Sequence, residues 1–354
     1  MEKTKEIRLK DIADQLDLGV TTVSDILLRG KTNYRGSTID LVKKTAEELG
    51  YRPNTLAQSM RSGRTSTIGI LLTYNLIDPF FAELLNGLEE ELDRRGLVVI
   101  LSISDQKIEK DKKALRFFES HRVDGLLVGP VYKQAMTIPI FDQYKTSIPS
   151  VMMLADQDAP CDTVDLEHGP DSTIGRIAAE HLMEMGHRNI GYFMCPPDVR
   201  EDQGSHPYRG FVKSLRERNL FRSEWIWEGH PPVAQNAYQK MKELLSRYPS
   251  RDSFPTALYC HNDHCAMGAM AALREHSFRV PEDISIIGTD NIDVSSFTSP
   301  RLTTIDLKPS EIAREAVALL MERLDNPKRP LRHSMITPEF ISRESVQRVG
   351  PSCL

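Results

Sequence analysis

Residues 51–65, YRPNTLAQSMRSGRT, separate two parts of the chain that differ in pattern and in charge. Pro53 fixes φ and disfavours helix at Arg52, so a preceding helix ends there, and Asn54 can cap a new one. That new helix, Asn54 to Met60, spans about two turns, which is too short for stability alone in water. We therefore predict that it folds only against a partner. A solvated linker is the alternative interpretation of the same residues.

Charge is divided unevenly between the two sides of this stretch. Residues 1–64 carry 12 Lys or Arg and 9 Asp or Glu, a net charge of +3, whereas the remaining 290 residues have a net charge of −8. A small basic head on an acidic body suits a protein that binds a polyanion. In the connecting stretch, Arg52, Arg61 and Arg64 surround Leu56 and Met60, which suits phosphate contacts beside an apolar wedge.

The composition is that of a globular protein with several domains. The chain has 354 residues, 40% of them hydrophobic and 27% charged, which is enough for two or three domains. No run of about 18 apolar residues occurs, and MEKTKEIRLK lacks the apolar region of a signal peptide, so the sequence predicts a cytoplasmic protein. Five cysteines at irregular spacing predict reduced thiols. We expect no cofactor, because phosphate-loop, dinucleotide and zinc-protease motifs are absent from the sequence.

Residues 9–30, LKDIADQLDLGVTTVSDILLRG, have the pattern of two short helices joined by a tight turn. Apolar residues recur at helical spacing in both halves, and Asp17 and Gly19 break the chain between them. A third helix fits Thr38 to Leu49, capped by Ser37 or Thr38. Residues 1–50 are therefore predicted to form an all-α helix-turn-helix head, although helical hairpins of this pattern are as often structural as DNA-binding.

In a helix-turn-helix head the second helix enters the major groove of DNA. We expect the second helix to present Thr21, Thr22, Ser24 and Asp25 to DNA as exposed side chains. The full set of candidate DNA contacts in the head is Lys10, Val20, Thr21, Thr22, Ser24, Asp25 and Asn33. In the connecting stretch the candidates are Asn54, Leu56, Met60 and Arg61.

From residue 67 onward, short β-rich runs alternate with helical segments. This alternation predicts parallel sheets flanked by helices, in an α/β core of two lobes over residues 67–354, joined to the head by a hinge helix and linker at 51–66. The predicted strands are 67–72, 98–102, 125–128 and 151–154 in one set, and 189–193, 225–228, 257–260 and 284–288 in the second.

These motifs, in this order, resemble the lactose-repressor (LacI/GalR) family of bacterial transcription regulators. The resemblance rests on KDIADQLDLGVTTVSDIL, ELGYRPNTLAQSMRSGRT, HNDHCAMGA, VPEDISIIGTDN and ISRES, and it spans nearly the whole chain. It implies a periplasmic-binding-protein-like core of two doubly wound parallel-sheet lobes, with crossings near 166, 295 and 330. The N-lobe would hold 67–166 and 296–330, and the C-lobe 167–295 and 331–354.

The resemblance also implies how such a protein works. A homodimer would read a pseudo-palindromic DNA operator with its two heads, and the hinge helices would push Met60 of each subunit into the central base step. Asp25 stands where the family often has a long polar residue. Because a carboxylate can accept from cytosine N4 but cannot pair with guanine, we expect an atypical operator.

Ligands of open α/β sheets bind beyond the carboxyl ends of the strands, so polar residues that follow the predicted strands are candidates for an effector site. Carboxylates, amides and aromatic faces together suit a sugar or a nucleoside. The candidates are Asp78, Phe80, Phe81, Asp156, Asp165, Arg209, Asn262 and Asp290. The resemblance puts five of them at effector positions of the family: Phe80, Phe81, Asp156, Asn262 and Asp290. For Asp165, as for Asp263, the alternative role is to cap or brace a loop.

One family residue is absent from this candidate site. An Arg that the family usually has three residues before the Gly-aromatic pair is replaced by Pro207 in SHPYRGF, with Arg209 and Arg200 nearby as substitutes. Either one of them takes its place, or the effector differs from a common hexose. The cluster CHNDHC, residues 260–265, contains good zinc ligands, but a strand end and a helix start would point Cys260 and Cys265 apart.

The function predicted from these features is a transcription regulator, most simply a repressor, whose operator affinity is set by a small effector. A sugar-binding receptor is the main alternative, but it would carry a signal peptide in place of residues 1–64, and an enzyme is the third. We also predict a two-fold dimer, with the stripe Phe81, Leu84, Leu85, Leu88 and Leu92 as either core or interface. No tetramer is expected, because the tail after Ser345 lacks apolar heptads.

Overall fold

The computed structural model describes residues 7–29, 33–51, 63–74, 76–105, 107–130, 147–155, 159–167, 173–195, 207–248 and 253–349. The chain forms two compact units, Met1–Ser66 and Thr67–Leu354. Five predicted contacts, Asn54, Leu56, Met60, Arg61 and Asp156, lie outside the described residues, as does Arg200. No helix in the described ranges is long and apolar enough to cross a membrane.

The described part of the first unit contains three helices, α1 (Leu9–Leu16), α2 (Val20–Arg29) and α3 (Gly36–Glu48). Their apolar faces meet in one small core, to which all three helices contribute buried side chains: Ile12, Ala13, Val23, Ile26, Val42 and Ala46. The turn between α1 and α2 begins at Asp17, which adopts a left-handed conformation with φ of 52°. The third helix starts earlier than predicted, since Gly36 is its first residue and Arg35 its N-cap, without a side-chain capping bond. The prediction that Ser37 or Thr38 caps it was wrong.

The first lobe of the second unit is a six-stranded parallel sheet. Its strands lie in the order β2 (Val98–Ile103), β1 (Thr67–Leu72), β3 (Gly125–Gly129), β4 (Ser150–Met153), β5 (Asp162–Leu166) and β11 (His333–Ile336). The described helices of this lobe are α4 (Pro79–Asp93), α5 (Ile108–Ser120) and α10 (Pro309–Asp325). Strands β1, β3 and β4 are buried along nearly their whole length, which explains their continuous apolar runs.

The second lobe contains a four-stranded parallel sheet in the order β7 (Ile226–Glu228), β6 (Ile190–Cys195), β8 (Ala257–Cys260) and β9 (Ser285–Ile287). The helices of this lobe that the structure describes are α6 (Thr173–Glu184), α7 (Pro207–Glu217), α8 (Ala234–Arg247) and α9 (Asp263–Glu275). Helix α6 packs on α7 and α8 on α9. In the second pair, a Cβ at Gly268 would collide with the backbone of α8, so a glycine is required for this close approach.

Two short antiparallel strands, β10 (Thr304–Asp306) and β12 (Glu339–Ile341), accompany the crossings of the chain. The third crossing comes later than predicted, because β11 pairs with β5 and therefore still belongs to the first sheet. The predicted assignment of residues 331–354 to the C-lobe was wrong for this strand. Beyond β12, the chain returns to the second lobe, where the Ile286 amide donates to the Ser345 carbonyl at 2.8 Å.

A buried ionic cluster fixes β5 to the end of α10. Both oxygens of Asp162 accept hydrogen bonds from the guanidinium groups of Arg323 and Arg329 at 2.9 to 3.0 Å, and the Arg332 amide adds another at 2.8 Å. The Asp162 side chain is fully buried, so its charge depends on these partners.

Candidate functional site

The predicted DNA-contact face of α2 is only partly exposed. Val20 and Thr21 are exposed at its N-terminus, as are Lys10 on α1 and Asn33 before α3, and Thr22 is half-buried. Ser24 and Asp25, however, are only 8% and 5% exposed. The prediction that these two side chains are exposed was wrong.

The burial of Asp25 has a physical cause in the loop before α3. The Tyr34 hydroxyl donates to Asp25 Oδ2 at 3.1 Å, which uses the carboxylate inside the head. The expected pairing of Asp25 with cytosine therefore loses its basis. Sequence periodicity put Asp25 on the polar side of α2, but it could not show that a tyrosine nine residues later would cover it.

In the second unit, two helix N-termini from different lobes bring the candidate effector residues together. Asp78 caps α4, because its Oδ1 accepts from the Phe80 amide at 3.1 Å, and Asn262 caps α9, because its Oδ1 accepts from the Cys265 amide at 2.9 Å. The remaining polar atoms of the two capping side chains contact each other, because Asn262 Nδ2 donates to Asp78 Oδ2 at 3.3 Å. The same Nδ2 also donates to the Pro232 carbonyl at 3.1 Å. A direct polar contact therefore joins the lobes at the cleft.

Asp290 follows β9 and lies against the same region. Its side chain is only 8% exposed, and its backbone adopts φ of 101°, which a residue with a Cβ rarely does. The surrounding chain holds this conformation, since the Asp290 amide donates to the Ile305 carbonyl at 2.8 Å and the Asn291 amide to Thr304 Oγ1 at 3.3 Å. Backbone strain of this kind is found most often at functional sites.

Asp263 braces the loops behind the site. One of its oxygens accepts from Thr304 Oγ1 at 2.5 Å and the other from the Ile292 amide at 3.0 Å, so it ties α9 to the crossing strand β10. A Cβ at Gly288 would collide with this carboxylate, which explains the glycine at that position. Of the two roles left open for Asp263, the structure shows the bracing one.

Arg343 adds a second brace that the sequence did not indicate. Its guanidinium donates to Asn291 Oδ1 at 2.6 Å, to Ser295 Oγ at 3.0 Å and to the Leu302 carbonyl at 2.8 Å. Arg343 belongs to the ISRES motif, which was recognised only as part of the resemblance. It positions the loop that carries Asp290.

The remaining candidates have more varied surroundings. Asp165 is buried in β5 and accepts from the Ala155 amide, so it braces the segment that leads to residue 156. Phe80 and Phe81 are buried in the first turn of α4, with their rings edge to face at 5.2 Å. Arg209 is half-buried on α7. The sequence did not single out Glu83 or Asp306, whose carboxylates interact electrostatically with Asp290.

Burial controls the protonation of this region. It raises the pKa of Asp290 well above the ordinary value, and the neighbouring carboxylates of Asp78, Asp263, Asp306 and Glu83 raise it further. Burial also raises the pKa of Asp78 and brings that of Asp263 to about 7. The nearby His261 has a pKa lowered to about 4 by burial, so it carries no charge at neutral pH.

The cluster CHNDHC does not bring its cysteines together as ligands. Cys260 lies in β8 and Cys265 in α9, both fully buried, and Asn262 and Asp263 between them form the bonds described above. Among the residues that the structure describes, no group of three or more His, Cys, Asp or Glu has the arrangement of a metal site.

Comparisons with known proteins agree with this architecture. The family described as a periplasmic binding protein-like domain matches residues 179–346. The HTH-type transcriptional repressor PurR of Pasteurella multocida (strain Pm70) is 33% identical over 341 residues, covering 96% of this chain and 98% of the relative. The PurR of Haemophilus influenzae (strain PittEE) is 34% identical over 346 residues, covering 96% and 99%.

Two solved structures show the same fold. The Lac repressor dimer bound to operator and the anti-inducer ONPF has a TM-score of 0.82, with 24% identity over 97% of this chain and all of that one. A LacI family transcriptional regulator from Enterococcus faecium with bound ribose has a TM-score of 0.66, with 27% identity over 80% of this chain and all of that one.

The helical head, together with repressor relatives that match 96% of the chain, makes this protein a DNA-binding regulator, a different class from receptors that share the core alone. The chain belongs to the LacI/GalR family of bacterial transcriptional regulators. It is a transcriptional repressor rather than an enzyme, as its relatives are.

Proposed function

We propose that this repressor binds a pseudo-palindromic operator as a homodimer, and that a small hydroxyl-bearing effector in the core cleft controls its affinity for DNA. The observation that carries the proposal is the contact between Asn262 and Asp78, which joins the two lobes at 3.3 Å where a ligand would bind. A ligand that bonds to either side chain changes this contact. Lobe closure and DNA binding thereby become coupled.

The proposed contacts on DNA begin with the exposed residues at the start of α2. Val20 suits a thymine methyl group, and the Thr21 and Thr22 hydroxyls suit either bases or phosphates. Lys10 and Asn33, both exposed on the head, are proposed to contact phosphates. Asn54, Leu56, Met60 and Arg61 are proposed to act in the minor groove when the hinge helices fold on DNA.

For the effector, the proposed contacts are Asp78, Asn262, Asp290 and Arg209, with Phe80 and Phe81 supporting the cleft and Asp156 beside it. Among solved structures of similar fold, the Enterococcus faecium regulator holds ribose and the transcriptional regulator CelR holds cellobiose, which supports a carbohydrate. Asp165 is proposed as a brace rather than a direct contact. The protein would act in the cytoplasm, on the nucleoid.

The proposed dimer contact lies on an exposed apolar edge. The stripe of α4 is largely internal, because Phe81, Leu84, Leu88 and Leu92 are buried within the lobe. In contrast, the edge strand β2 leaves Val98 63% and Leu101 40% exposed. An exposed apolar edge strand pairs readily with another chain, and we propose that a second copy covers it.

Selection of bound duplexes from a random library tests the proposed function. We expect enrichment of a sequence with two half-sites related by two-fold symmetry, bound tighter than scrambled DNA at the same salt concentration. Enrichment of a single half-site would contradict binding as a dimer. No preference among duplexes would contradict sequence-specific repression.

A further inference from the structure

Thr21 and Asp25 lie on the side of α2 that faces away from the core of the head. They are four residues apart, which places them one turn apart on the same face of a helix. Val23 and Ile26 turn to the opposite side and are buried in the core. The second helix of a helix-turn-helix head enters the major groove with its N-terminal residues at the base edges. The face with Thr21 and Asp25 is therefore the one that we expect to meet DNA.

Tyr34 covers the second of these two positions. Its side chain packs against the core of the head, and its hydroxyl donates to Asp25 Oδ2 at 3.1 Å. Thr21 is exposed, whereas Asp25, one turn later, is only 5% exposed. Tyr34 is half-buried, so part of its surface remains accessible. Because a packed tyrosine keeps its polar tip outward, its hydroxyl replaces the Asp25 carboxylate as the polar group one turn beyond Thr21.

The bond to Asp25 limits what the Tyr34 hydroxyl can do next. A tyrosine hydroxyl has one hydrogen to donate and lone pairs that accept. An ionised carboxylate only accepts, so the hydrogen points to Asp25, and a bond to a charged acceptor is stronger than one between neutral groups. The oxygen can then only accept from a further partner. Without Asp25 the same hydroxyl could turn and act as either donor or acceptor.

An acceptor in the major groove distinguishes two kinds of base. Adenine and cytosine present amino groups there, at N6 and N4, whereas guanine and thymine present the acceptors O6 and O4 at the corresponding places. An accepting hydroxyl bonds to the amino groups and meets an oxygen in the other two bases. The Asp25 carboxylate would select cytosine directly if it reached a base, but its burial under Tyr34 prevents this.

We propose that Tyr34 reads a base of the operator and that Asp25 acts through it, by holding the hydroxyl as an acceptor. This inference rests on the proposed binding of an operator and adds one specificity-determining residue to it. In each half-site, one position on one strand should accept adenine or cytosine and disfavour guanine and thymine. Asp25 is the positioning residue of this pair and touches no base.

A purely structural bond between the two side chains would behave differently. If it only fastened the loop before α3 to α2, its loss would lower the stability of the head and weaken binding to every duplex by the same factor. A residue that reads a base changes the relative affinities of duplexes that differ at one base pair. Base preference, rather than affinity, is therefore the quantity to measure.

Selection of duplexes from a random library by the full chain provides the operator sequence for this test. The selected duplex and its single base-pair variants are then titrated at one salt concentration. At one position in each half-site, we expect the wild type to bind the duplexes with adenine or cytosine about fivefold more tightly than those with guanine or thymine. This is the size of effect expected of one neutral hydrogen bond.

Two variants separate the base-reading hydroxyl from its positioning partner. Tyr34→Phe removes the hydroxyl and keeps the ring, whereas Asp25→Ala keeps the hydroxyl and frees its hydrogen. We expect either change to reduce the preference to near unity. Tyr51→Phe and Asp14→Ala make the same changes elsewhere in the head, at a half-buried and an exposed position, and should keep the preference. Circular dichroism checks that each variant is folded.

Four results would overturn the inference: an operator without a position that favours adenine and cytosine in this way, a preference that survives Tyr34→Phe, a preference that survives Asp25→Ala, or an equal loss in the control variants. Survival in Tyr34→Phe would show that another group reads the base, and survival in Asp25→Ala that the hydroxyl is oriented without the carboxylate. A wild type that selects no sequence at all would contradict the proposed repressor function instead, so the two failures are distinguishable.

Discussion

Replacing Asn262 tests whether its side chain joins the two lobes. The wild-type amide makes three contacts: it caps α9 through the Cys265 amide and donates to Asp78 and to the Pro232 carbonyl. Asn262→Ala removes all three. Loss of an N-cap costs about 1 kcal/mol, and loss of the donor to a carboxylate costs about 1.5 to 3 kcal/mol when that carboxylate is ionised. We expect the free energy of unfolding to fall by roughly 2 to 4 kcal/mol.

Asn262→Asp separates the cap from the lobe contact. Aspartate caps a helix as well as asparagine does, so the bond to the Cys265 amide survives. The donor to Asp78, however, is replaced by a second carboxylate, and repulsion between them raises the folded-state pKa of the new group. When a carboxyl has a higher pKa in the folded chain than in the unfolded chain, the protein loses stability as the pH rises from the unfolded-state pKa through the folded-state pKa. We therefore expect Asn262→Asp to be less stable near neutral pH than at acidic pH, relative to wild type.

Urea unfolding at both pH values measures these differences, and small-angle scattering of the folded variants reports whether the lobes separate. Asp93→Asn serves as the control for an unspecific change of charge. The reasoning is refuted if Asn262→Ala costs less than about 0.5 kcal/mol, below the range for a lost cap alone. It is also refuted if Asn262→Asp gains stability with rising pH, because the two carboxylates would then not face each other.

Three further predictions concern other parts of the chain. Met60→Gly, and separately a Gly insertion after Thr65, should weaken binding to the selected operator far more than binding to scrambled DNA at matched salt. The reason is that a base step is unstacked only in the specific complex, where the added contacts offset its cost. An equal loss on both DNAs would contradict a wedge role for Met60. Leu101→Arg on β2 should convert the dimer into a monomer in sedimentation experiments. The control variant Leu41→Arg, at an exposed site of the head, should remain a dimer. A dimer that survives Leu101→Arg would show that the β2 edge is not the interface. His187 is buried, and its pKa is lowered from 6.5 to about 4. Protonation of this histidine in the unfolded chain should therefore reduce the free energy of unfolding by about 2 kcal/mol as pH falls from about 7 to 5. His187→Asn should remove that part of the pH dependence in urea unfolding, and an unchanged slope would show that His187 is not the group responsible.

The sequence predicted the strands whose own residues form a continuous apolar run. Strand TIGILL, residues 67–72, and strand ALYC, residues 257–260, are continuous apolar runs, and the structure places strands at these residues. Strand β5, DTVDL, was not predicted, because Asp162 and Asp165 interrupt its apolar pattern. Those carboxylates are acceptable in a buried strand only because of partners elsewhere: Arg323 in the last turn of α10, Arg329 just beyond that helix, and the Ala155 amide.

The same limit applies to the candidate site. Asn262 follows β8 and Asp290 follows β9, where the regular geometry of parallel sheets predicted polar residues at one edge, and their role in effector binding stays a prediction. The burial of Ser24 and Asp25 could not be deduced, since it depends on how a loop places Tyr34. The brace made by Arg343 was equally hidden, because residues 291 and 343 are distant in sequence and meet only through the path of the last crossing.

The position of Asp162 has a consequence for synthesis of the protein on the ribosome. Its partners Arg323 and Arg329 follow it by 161 and 167 residues. At about 5 to 20 residues per second, the growing chain exists for roughly 10 to 30 s with this carboxylate unpaired and with β5 lacking its neighbour β11. The second lobe is also incomplete during this interval, because the Ile286 amide donates to the carbonyl of Ser345, which is synthesised near the end of the chain. The helical head emerges first and has its own core, so a ribosome making this repressor displays a folded DNA-reading domain well before either lobe that regulates it is complete.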